Sequence, residues 1–250
     1  MLFPEGEELD KRIPIPLYYQ LKNILLRYIK QHSDKFDEPI PTEVEISIYF
    51  DISRPTVRQA IKELVVEGYL YRVKSKGTFI TKPKIDQDFM QNLDSFNNEM
   101  HKKNYIPSTK ILNIDVIDSN EEISKALQIP QNSKVIVLER LRFANEEPIV
   151  FVVTYLPYYI FSNILNQKLE EISLYEIMEK EYGFVICKAV RHVESFIANE
   201  AEAKILKIEK GAAIQYFESI VYSAEDTPVE FSKAKYRGDR NKFKFVLKRN

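Results

Sequence analysis

The sequence has few of the residues on which metal centres, disulfide frameworks and most catalytic motifs depend. It contains one cysteine, Cys187, and three histidines that lie far apart, His32, His101 and His192. A single cysteine excludes an intrachain disulfide framework, and the scattered histidines give no metal-ligand spacing. Six glycines in 250 residues provide neither a phosphate-binding loop nor a nucleophile elbow. We therefore expect no metal, no cofactor and no enzymatic activity.

Long hydrophobic runs are also missing. No apolar stretch approaches the roughly 20 residues that a membrane-spanning helix needs, and residues 1–12 (MLFPEGEELDKR) are acidic rather than signal-like. Hydrophobic residues make up 44% and charged residues 29% of the chain, and the net charge is -1. These values are typical of a soluble globular protein that is long enough for two domains. The sequence predicts a cytoplasmic protein without membrane contact.

Positive charge is concentrated in one stretch. Residues 54–84 contain eight Lys or Arg side chains and two Glu, although the whole chain is slightly acidic. A local excess of this kind is typical of a surface that binds the phosphate backbone of nucleic acid. For any single charge a solvated helix face is the commoner explanation, so the interpretation depends on the structure predicted around it.

The basic stretch begins with an amphipathic helix. Ser53 is a predicted N-cap, Pro55 suits the first turn, and Gly68 provides a left-handed stop. Apolar residues recur between them at helical spacing and predict one buried stripe: Val57, Ala60, Ile61, Leu64 and Val65. The polar and basic side chains lie on the other side: Arg54, Arg58, Gln59 and Lys62.

Two further helices and a hairpin surround this helix. Thr42 and Glu45 form a predicted capping box for a short helix, and Pro16 opens a longer one upstream. Strands are predicted at 70–73 and 78–81, joined by a basic turn. Three helices and a basic hairpin predict a winged helix-turn-helix, whose second motif helix enters the major groove of DNA.

Four motifs resemble the N-terminal domain of GntR-type bacterial repressors. They are Ile15-Pro16-Leu17-Tyr18, Ile40-Pro41-Thr42-Glu43, residues 53–60 (SRPTVRQA) and residues 76–80 (KGTFI), within a resemblance that covers residues 13–82. The resemblance implies that Arg54, Arg58 and Gly77 contact DNA. With the polar side chains around them, the predicted DNA-binding set is Thr42, Glu43, Ser53, Arg54, Thr56, Arg58, Gln59, Lys74, Lys76 and Gly77.

The chain departs from this family pattern at two positions. Val44 stands where the family usually has arginine, and Ser75 stands where it usually has glycine. Because that arginine is an expected base contact in the family, we expect an operator that differs from the common one.

The second half of the chain contains an internal repeat. Residues 120–129 (NEEISKALQI) resemble residues 199–208 (NEAEAKILKI), and each copy is followed by a predicted strand, an acidic turn before proline and a returning strand. Ser119 and Asn199 are the predicted caps of the repeated helix. Two such units predict an antiparallel sheet of about six strands with helices on one face, an α+β domain. The alternative is chance similarity.

These observations divide the chain into three parts. Residues 1–82 form the predicted winged helix-turn-helix domain, and residues 92–250 form the predicted α+β domain. Residues 83–91 contain a proline and mixed charge without clear periodicity, and we interpret them as a linker. The predicted fold class is therefore α+β.

Two arginines in the repeat are not required by the fold. Arg140 and Arg142 alternate with apolar residues on one strand face, because strand side chains repeat every two residues. The second unit has Ser219 and Val221 at the equivalent positions. Two guanidinium groups on a half-apolar face suit a phosphate or a carboxylate, which arginine can bind through two parallel hydrogen bonds.

A second group could also bind this anion, and the two arginines have an alternative role. The opening of the helix predicted at 96–103 could donate backbone N–H groups to it. The alternative is that the two arginines are rim residues that form ion pairs with a nearby carboxylate, which would be Glu139, Glu147 or Glu230.

Four segments resemble the UTRA ligand-binding domain of the HutC-type branch of GntR regulators. They are residues 95–100 (SFNNEM), 106–109 (IPST), 138–142 (LERLR) and 228–232 (PVEFS). The family fold is similar to that of chorismate lyase, and its members sense small metabolites, often phosphorylated sugars. Position by position, the resemblance implies an effector pocket lined by Phe96, Asn97, Arg140, Arg142, Ser173, Glu230 and Tyr236.

Individual positions of this pocket carry different expectations. Glu230 and Tyr236 would take hydroxyl or amine groups of the effector. Ser173 has a second explanation as the N-cap of a helix predicted at 174–180. Val152 stands where the family commonly has glutamate, which weakens the case for an amino sugar phosphate.

We therefore predict a dimeric, ligand-responsive transcription repressor. It would bind a palindromic operator in double-stranded DNA and respond to a small anionic effector, expected to be a sugar phosphate. The main alternative is a lyase-type enzyme that uses the chorismate-lyase-like domain, with His192, Arg191 and Glu194 as an acid–base site. A winged helix used for protein contact alone is a third alternative, which the basic stretch disfavours.

Overall fold

The computed structural model describes residues 7–32, 35–36, 38–89 and 91–247, which divide into two compact units with the boundary between Pro83 and Lys84. Residues 1–6, 33–34, 37 and 248–250 of the two predicted domains, and Met90 of the predicted linker, lie outside the described residues. Within the described ranges, every helix is too short or too polar to span a bilayer.

The first unit consists of three helices and a hairpin. Its elements are α1 Leu17–Gln31, α2 Glu43–Tyr49, α3 Arg54–Val66, β1 Leu70–Val73 and β2 Gly77–Ile80. The two strands pair antiparallel. Apolar side chains at helical spacing meet in one core, which includes Leu21, Ile46, Val57, Leu64 and Ile80. The predicted winged helix-turn-helix is confirmed.

Local sequence signals set the ends of these helices. Thr42 Oγ1 accepts a hydrogen bond from the Glu45 N–H at 3.2 Å, and the Glu45 carboxylate accepts one from the Thr42 N–H at 2.7 Å, which confirms the capping box. Ser53 Oγ accepts from the Thr56 N–H at 3.3 Å and caps α3. Gly68 follows α3 at φ +78°, the left-handed conformation that stops a helix.

The second unit contains eight described strands and five described α-helices. Its strands are β3 Ile85–Gln87, β4 Pro107–Asp118, β5 Lys134–Ala144, β6 Glu147–Pro157, β7 Ile186–Ile197, β8 Ala213–Ser223, β9 Pro228–Arg237 and β10 Asn241–Phe243. Its helices are α4 Phe96–Lys102, α5 Glu121–Leu127, α6 Tyr158–Phe161, α7 Leu174–Tyr182 and α8 Glu200–Leu206. Six strands form one antiparallel sheet in the order β4-β5-β6-β9-β8-β7. The elements β4-α5-β5-β6 recur as β7-α8-β8-β9, which confirms the repeat.

Helices cover both faces of this sheet, so the prediction that they lie on one face is wrong. On one face, α5 packs against Val135 and α8 packs against Leu141. On the other face, α7 packs against Ile136 and Leu138. Neighbouring strand residues point to opposite faces, so the consecutive buried residues 135–138 belong to a strand that is covered on both sides.

The segment predicted as a linker, residues 83–91, contains the short strand β3. β3 pairs in parallel with β10. Ile85 and Gln87 are buried, and Gln87 Nε2 donates a hydrogen bond to Asn241 Oδ1 at 2.7 Å. A strand of three residues is too short to show a period-two pattern, which is why the sequence did not reveal it.

The cap of α5 is Asn120 rather than the predicted Ser119. The Asn120 side chain accepts a hydrogen bond from the Ile123 N–H at 2.9 Å. Ser119 is buried, and its hydroxyl shares a 2.8 Å hydrogen bond with that of Ser124. The repeat is therefore closer than predicted, because Asn199 caps α8 at the equivalent position.

Candidate nucleic-acid interface and ligand pocket

Helix α3 exposes its basic side chains and has its acidic side chains paired elsewhere. Arg54, Arg58 and Gln59 are exposed, opposite the buried stripe. Lys22 of α1 pairs with Glu63 at 3.2 Å and with Glu67 at 2.5 Å. Because one lysine holds Glu63 of α3 and Glu67, the residue that follows the helix, the exposed face keeps a positive field that suits DNA phosphates.

Glu43 at the start of α2 connects two arginines. Its carboxylate accepts a hydrogen bond from Arg58 Nε at 3.2 Å and from an Arg72 amino group at 3.0 Å. One carboxylate between two guanidinium groups leaves a net positive charge and ties α2, α3 and β1 together. Arg72 was not among the predicted DNA-binding residues, although it belongs to the basic stretch. In the described geometry, the Glu43 carboxylate therefore orients two arginines.

The predicted hydroxyl residues lie at helix beginnings. The Thr42 hydroxyl donates to the Glu45 carboxylate at 2.7 Å. Ser53 Oγ and Thr56 Oγ1 share a 2.8 Å hydrogen bond at the beginning of α3. Helix beginnings present N–H groups and a positive partial charge, and these attract phosphate oxygens. The N-cap residues of α2 and α3, Thr42 and Ser53, are both exposed to solvent.

The turn of the β1–β2 hairpin carries the remaining predicted residues. Lys74 and Lys76 are exposed and form no ion pair with any residue that the structure describes. Ser75 has φ +61°, which explains why glycine is common at this position in the family. Gly77 has φ +131°, and a Cβ atom there would lie 3.0 Å from Pro39 Cβ. Gly77 therefore allows the conformation of the hairpin. The second strand begins at Gly77, one residue earlier than the predicted start at residue 78.

The second unit contains a cavity on the sheet face that carries Arg140 and Arg142. Side chains from β5, β6, β8 and β9 line it, and residues at the beginnings of α4 and α7 cover it. Its volume is about 100 Å³. Since a water molecule needs roughly 10–15 Å³ of such space, the cavity has room for several small groups.

Neither of the two arginines forms an ion pair with a carboxylate among the described residues, although the charge of Glu230 favours the charged form of both. Arg140 is 3% exposed and donates one hydrogen bond, to Thr154 Oγ1 at 2.9 Å. The guanidinium of Arg142 lies 5.0 Å from the Phe96 ring centre. The Nε atoms of both arginines are buried and have no hydrogen-bond partner in the described structure.

The alternative that these are rim arginines paired with a glutamate is therefore wrong. Glu147 pairs instead with Arg237 at 3.2 Å and with Arg240 at 3.0 Å. Burial, with repulsion from Arg142, lowers the pKa of Arg140 to about 9, so Arg140 stays charged at neutral pH. Burying an unpaired charge costs several kcal/mol. An anionic group bound between the two arginines would offset that cost.

The opposite part of the cavity is acidic and hydroxylated. Glu230 is 5% exposed, and its Oε2 atom is buried without a hydrogen-bond partner among the described residues. Ser219 and Ser232 line the cavity near it. Burial raises the pKa of Tyr236 and of Tyr175, so both phenols stay neutral and can donate hydrogen bonds. The cavity therefore combines arginines with a carboxylate and several hydroxyl groups.

Most of the predicted effector residues meet in this one cavity. Six of the seven line it: Phe96, Arg140, Arg142, Ser173, Glu230 and Tyr236. Asn97 is half-buried on α4 and is not among the lining residues. The Ser173 hydroxyl also accepts a hydrogen bond from the Glu176 N–H at 3.3 Å, which confirms it as the N-cap of α7. Val152 lines the cavity as an apolar surface.

Sequence reasoning missed further lining residues, among them Phe89, Tyr175 and Arg191. Arg191 donates to the Phe89 carbonyl at 2.7 Å and lies 5.0 Å from the Phe89 ring centre. Phe89 in turn stacks on Tyr236, with 5.3 Å between ring centres. These residues come from distant parts of the chain, and only the alternation on β7 could have placed Arg191 on the cavity face.

The acid–base site considered for β7 is not assembled. Arg191 lines the cavity, whereas His192 points to the opposite face because strand side chains alternate. Among the residues that the structure describes, no group of three or more His, Cys, Asp or Glu side chains could hold a metal ion.

Comparison with known proteins identifies both units. Residues 17–80 match the family described as bacterial regulatory proteins, gntR family, and residues 102–242 match the UTRA domain. The HTH-type transcriptional repressor NagR of Bacillus subtilis is 36% identical over 241 residues, which is 96% of this chain and 98% of that protein.

Two further matches cover nearly the whole chain. The mannosyl-D-glycerate transport/metabolism system repressor MngR of Escherichia coli is 25% identical over 94% of this chain and 97% of that protein. The crystal structure of PhnF from Mycobacterium smegmatis has a TM-score of 0.66 at 23% identity, covers 92% of this chain and 99% of that chain, and shows the same fold. NagR and MngR are both named as repressors. The chain belongs to the GntR family of bacterial transcriptional regulators, in the branch that carries a UTRA domain.

Proposed function

We propose that the protein is a dimeric repressor that binds a palindromic DNA operator and is controlled by a small anionic metabolite. In this proposal the unit that ends at Pro83 binds DNA, and the unit that begins at Lys84 binds the effector and forms the dimer. Sugar phosphates are the expected class of effector. The observation that carries the proposal is the pair Arg140 and Arg142, whose buried Nε atoms have no hydrogen-bond partner among the described residues.

The proposed DNA contacts follow from exposure and charge. In this proposal the exposed residues Arg54, Arg58 and Gln59 of α3 reach base edges. Lys74 and Lys76, exposed in the hairpin, reach phosphates. The hydroxyls of Thr42, Ser53 and Thr56 mark helix beginnings suited to phosphate contact. Glu43 orients Arg58, and Gly77 allows the hairpin turn. A two-fold dimer would place two such surfaces on two half-sites, which is why we expect a palindrome.

The proposed effector is bipolar. Its anionic end would lie between Arg140 and Arg142, where charge-assisted hydrogen bonds contribute about 1.5–3 kcal/mol each. Its polar end would meet Glu230 and Tyr236, which suit hydroxyl groups. A phosphorylated sugar has both ends. MngR, a relative of this chain, is named for a system that uses a sugar derivative, mannosyl-D-glycerate.

The chain itself provides a route from the cavity to the DNA-binding unit. The segment that follows Pro83 contains β3 and then Phe89, which lines the cavity between Arg191 and Tyr236. An effector that displaces or fixes Phe89 would act directly on this segment. A coupling of about 1–3 kcal/mol would change operator affinity about 5–150-fold.

A thermal-shift screen tests the proposal. Sugar phosphates are compared with the same sugars without phosphate, and we expect only the phosphorylated members to raise the melting temperature. The best compound is then added to the complex of protein and operator DNA, where it should change the affinity. If no anion raises the melting temperature at millimolar concentration, the proposed effector class is wrong.

A further inference from the structure

The two edge strands of the sheet occupy equivalent positions in the repeat but differ in character. β4 exposes mostly polar side chains: Ser108, Lys110, Asn113, Asp115 and Asp118. Its pairing with β5 is interrupted by a register shift between Ile111 and Asn113. The Ile111 N–H is occupied by Glu170 Oε1 at 2.8 Å. Charges, a bulge and a covered N–H are devices that prevent an edge strand from pairing with another chain.

β7 has the opposite character. It exposes apolar side chains along its second half, with Val190 42%, Val193 52%, Phe196 47% and Ile197 74% exposed. Its only register shift against β8 lies at its beginning, between Ile186 and Lys188, so the rest is a regular strand. A long, regular and apolar edge favours pairing with another strand. The contrast with β4 shows that the repeat does not require such an edge.

We propose that β7 pairs antiparallel with β7 of a second copy of this chain, with a two-fold axis at Val193, so that the two sheets become one. The inference rests on the dimer of the proposed function and names its surface and register. A two-fold axis makes such an interface isologous, which means that each strand must be complementary to its own reverse.

The sequence of β7 meets this condition at one register. With Val193 opposite Val193 of the second copy, Val190 lies opposite Phe196 and Ala189 lies opposite Ile197. These are apolar pairs, and cross-strand apolar pairs stabilise a sheet. In the same register His192 lies opposite Glu194, an exposed pair that can form a charge-assisted hydrogen bond.

Neighbouring registers are poorer. The two-fold axis keeps each side chain on its own face, so the axis must pass through a residue and the pairing moves in steps of two. An axis at Glu194 or at Arg191 places two like charges opposite each other, which is destabilising. An axis at His192 places Val190 opposite Glu194 and Lys188 opposite Phe196.

Complementary charges at the axis test this register. Val193→Lys and Val193→Glu are compared with the unchanged full-length chain by sedimentation at several concentrations. Each variant alone places like charges opposite each other and loses apolar contact, so self-association should weaken about tenfold or more. A one-to-one mixture should recover dimers, because lysine then lies opposite glutamate. Asp115→Lys on β4 is the matched edge control and should leave association unchanged.

A disulfide provides a second, independent readout. In a Cys187→Ser background, Val193→Cys should form an intermolecular disulfide under mild oxidation, because directly opposite residues in an antiparallel pair have Cα atoms about 4.5–5.5 Å apart. Ser195→Cys in the same background should not, since residue 195 lies opposite residue 191. Thermal melts check that each variant folds. We expect that they do, because the substituted positions are not in the core.

The outcomes separate this inference from the proposed function. If Val193→Lys dimerises like the unchanged chain and Val193→Cys does not cross-link, the β7 interface is wrong, whereas operator binding and the effector response would still stand. A mixture that fails to recover dimers overturns the register. Association of β7 with a different protein in place of a second copy also overturns the inference. Loss of operator binding in the unchanged chain contradicts the proposed function instead.

Discussion

Arginines occupy opposite environments in the two units. In the first unit, Arg58 and Arg72 share the carboxylate of Glu43 and remain largely exposed to solvent. In the second unit, Arg140 is buried and Arg142 is partly buried, and neither forms an ion pair with a carboxylate among the described residues. An arginine therefore indicates a different kind of site in each unit.

Energetics explain the difference. Exposed ion pairs contribute about 0–1 kcal/mol and are screened by salt, so an exposed arginine is nearly neutral for folding and is available to DNA. A buried guanidinium without a partner costs several kcal/mol. Single exposed charges are therefore informative only together, whereas one buried pair already indicates a ligand.

Removing the two cavity arginines should have the largest effect, on the free energy of effector binding. Arg140→Ala with Arg142→Ala removes both charge-assisted contacts to the effector, and we expect a loss of about 3–6 kcal/mol in binding free energy. Calorimetric titration with the sugar phosphate that gives the largest thermal shift measures it. Lys204→Ala, an exposed lysine on α8, is the control and should bind normally. Full affinity in the double variant would rule out this cavity.

On the exposed side, Arg58→Ala should weaken operator binding by about 1–3 kcal/mol if the guanidinium reads a base. Fluorescence anisotropy with operator DNA and with a scrambled duplex measures affinity and specificity together. Stability should change little, because Arg58 is exposed. An unchanged preference for operator over scrambled DNA would contradict a base contact.

Replacing Arg140 alone by an apolar residue should have a smaller effect, on the free energy of unfolding. Arg140→Met replaces a buried charge by an apolar side chain, so the free energy of unfolding without effector should rise by about 1–2 kcal/mol. Urea denaturation measures it, and the loss of the hydrogen bond to Thr154 limits the gain. A clear loss of stability would show that Arg140 supports the fold rather than the ligand.

The smallest effect concerns a phosphate contact. Lys76→Ala should leave sequence preference intact and reduce the slope of log affinity against log salt by about one. Anisotropy measured over a salt series gives the slope. If the slope stays the same while specificity falls, Lys76 reads bases and the hairpin assignment changes.

The first unit was predicted almost completely because its signals are local. Capping residues at Thr42 and Ser53 and the stop at Gly68 act within a few residues, so the chain's own neighbours determine the outcome. In the second unit the repeat revealed the strands, but not which face α7 covers. That choice depends on packing between distant segments, and the pattern of one strand does not encode it.

The cavity shows the same limit. Arg140 and Arg142 were predicted because they lie two residues apart on one strand and are absent from the second copy of the repeat. Phe89 and Arg191 were missed because they come together only after β7 reaches the far edge of the sheet. Register and strand order decide such contacts, and neither follows from local periodicity.

Operator affinity measured with and without effector, in the unchanged chain and in the Arg140→Ala, Arg142→Ala double variant, tests the central claim most directly. We expect the effector to change the operator affinity of the unchanged chain about 5–150-fold. The double variant should bind the operator equally well without effector and should not respond to it. An equal response in both proteins, or no response in the unchanged chain, would contradict the claim that the buried arginines receive the signal.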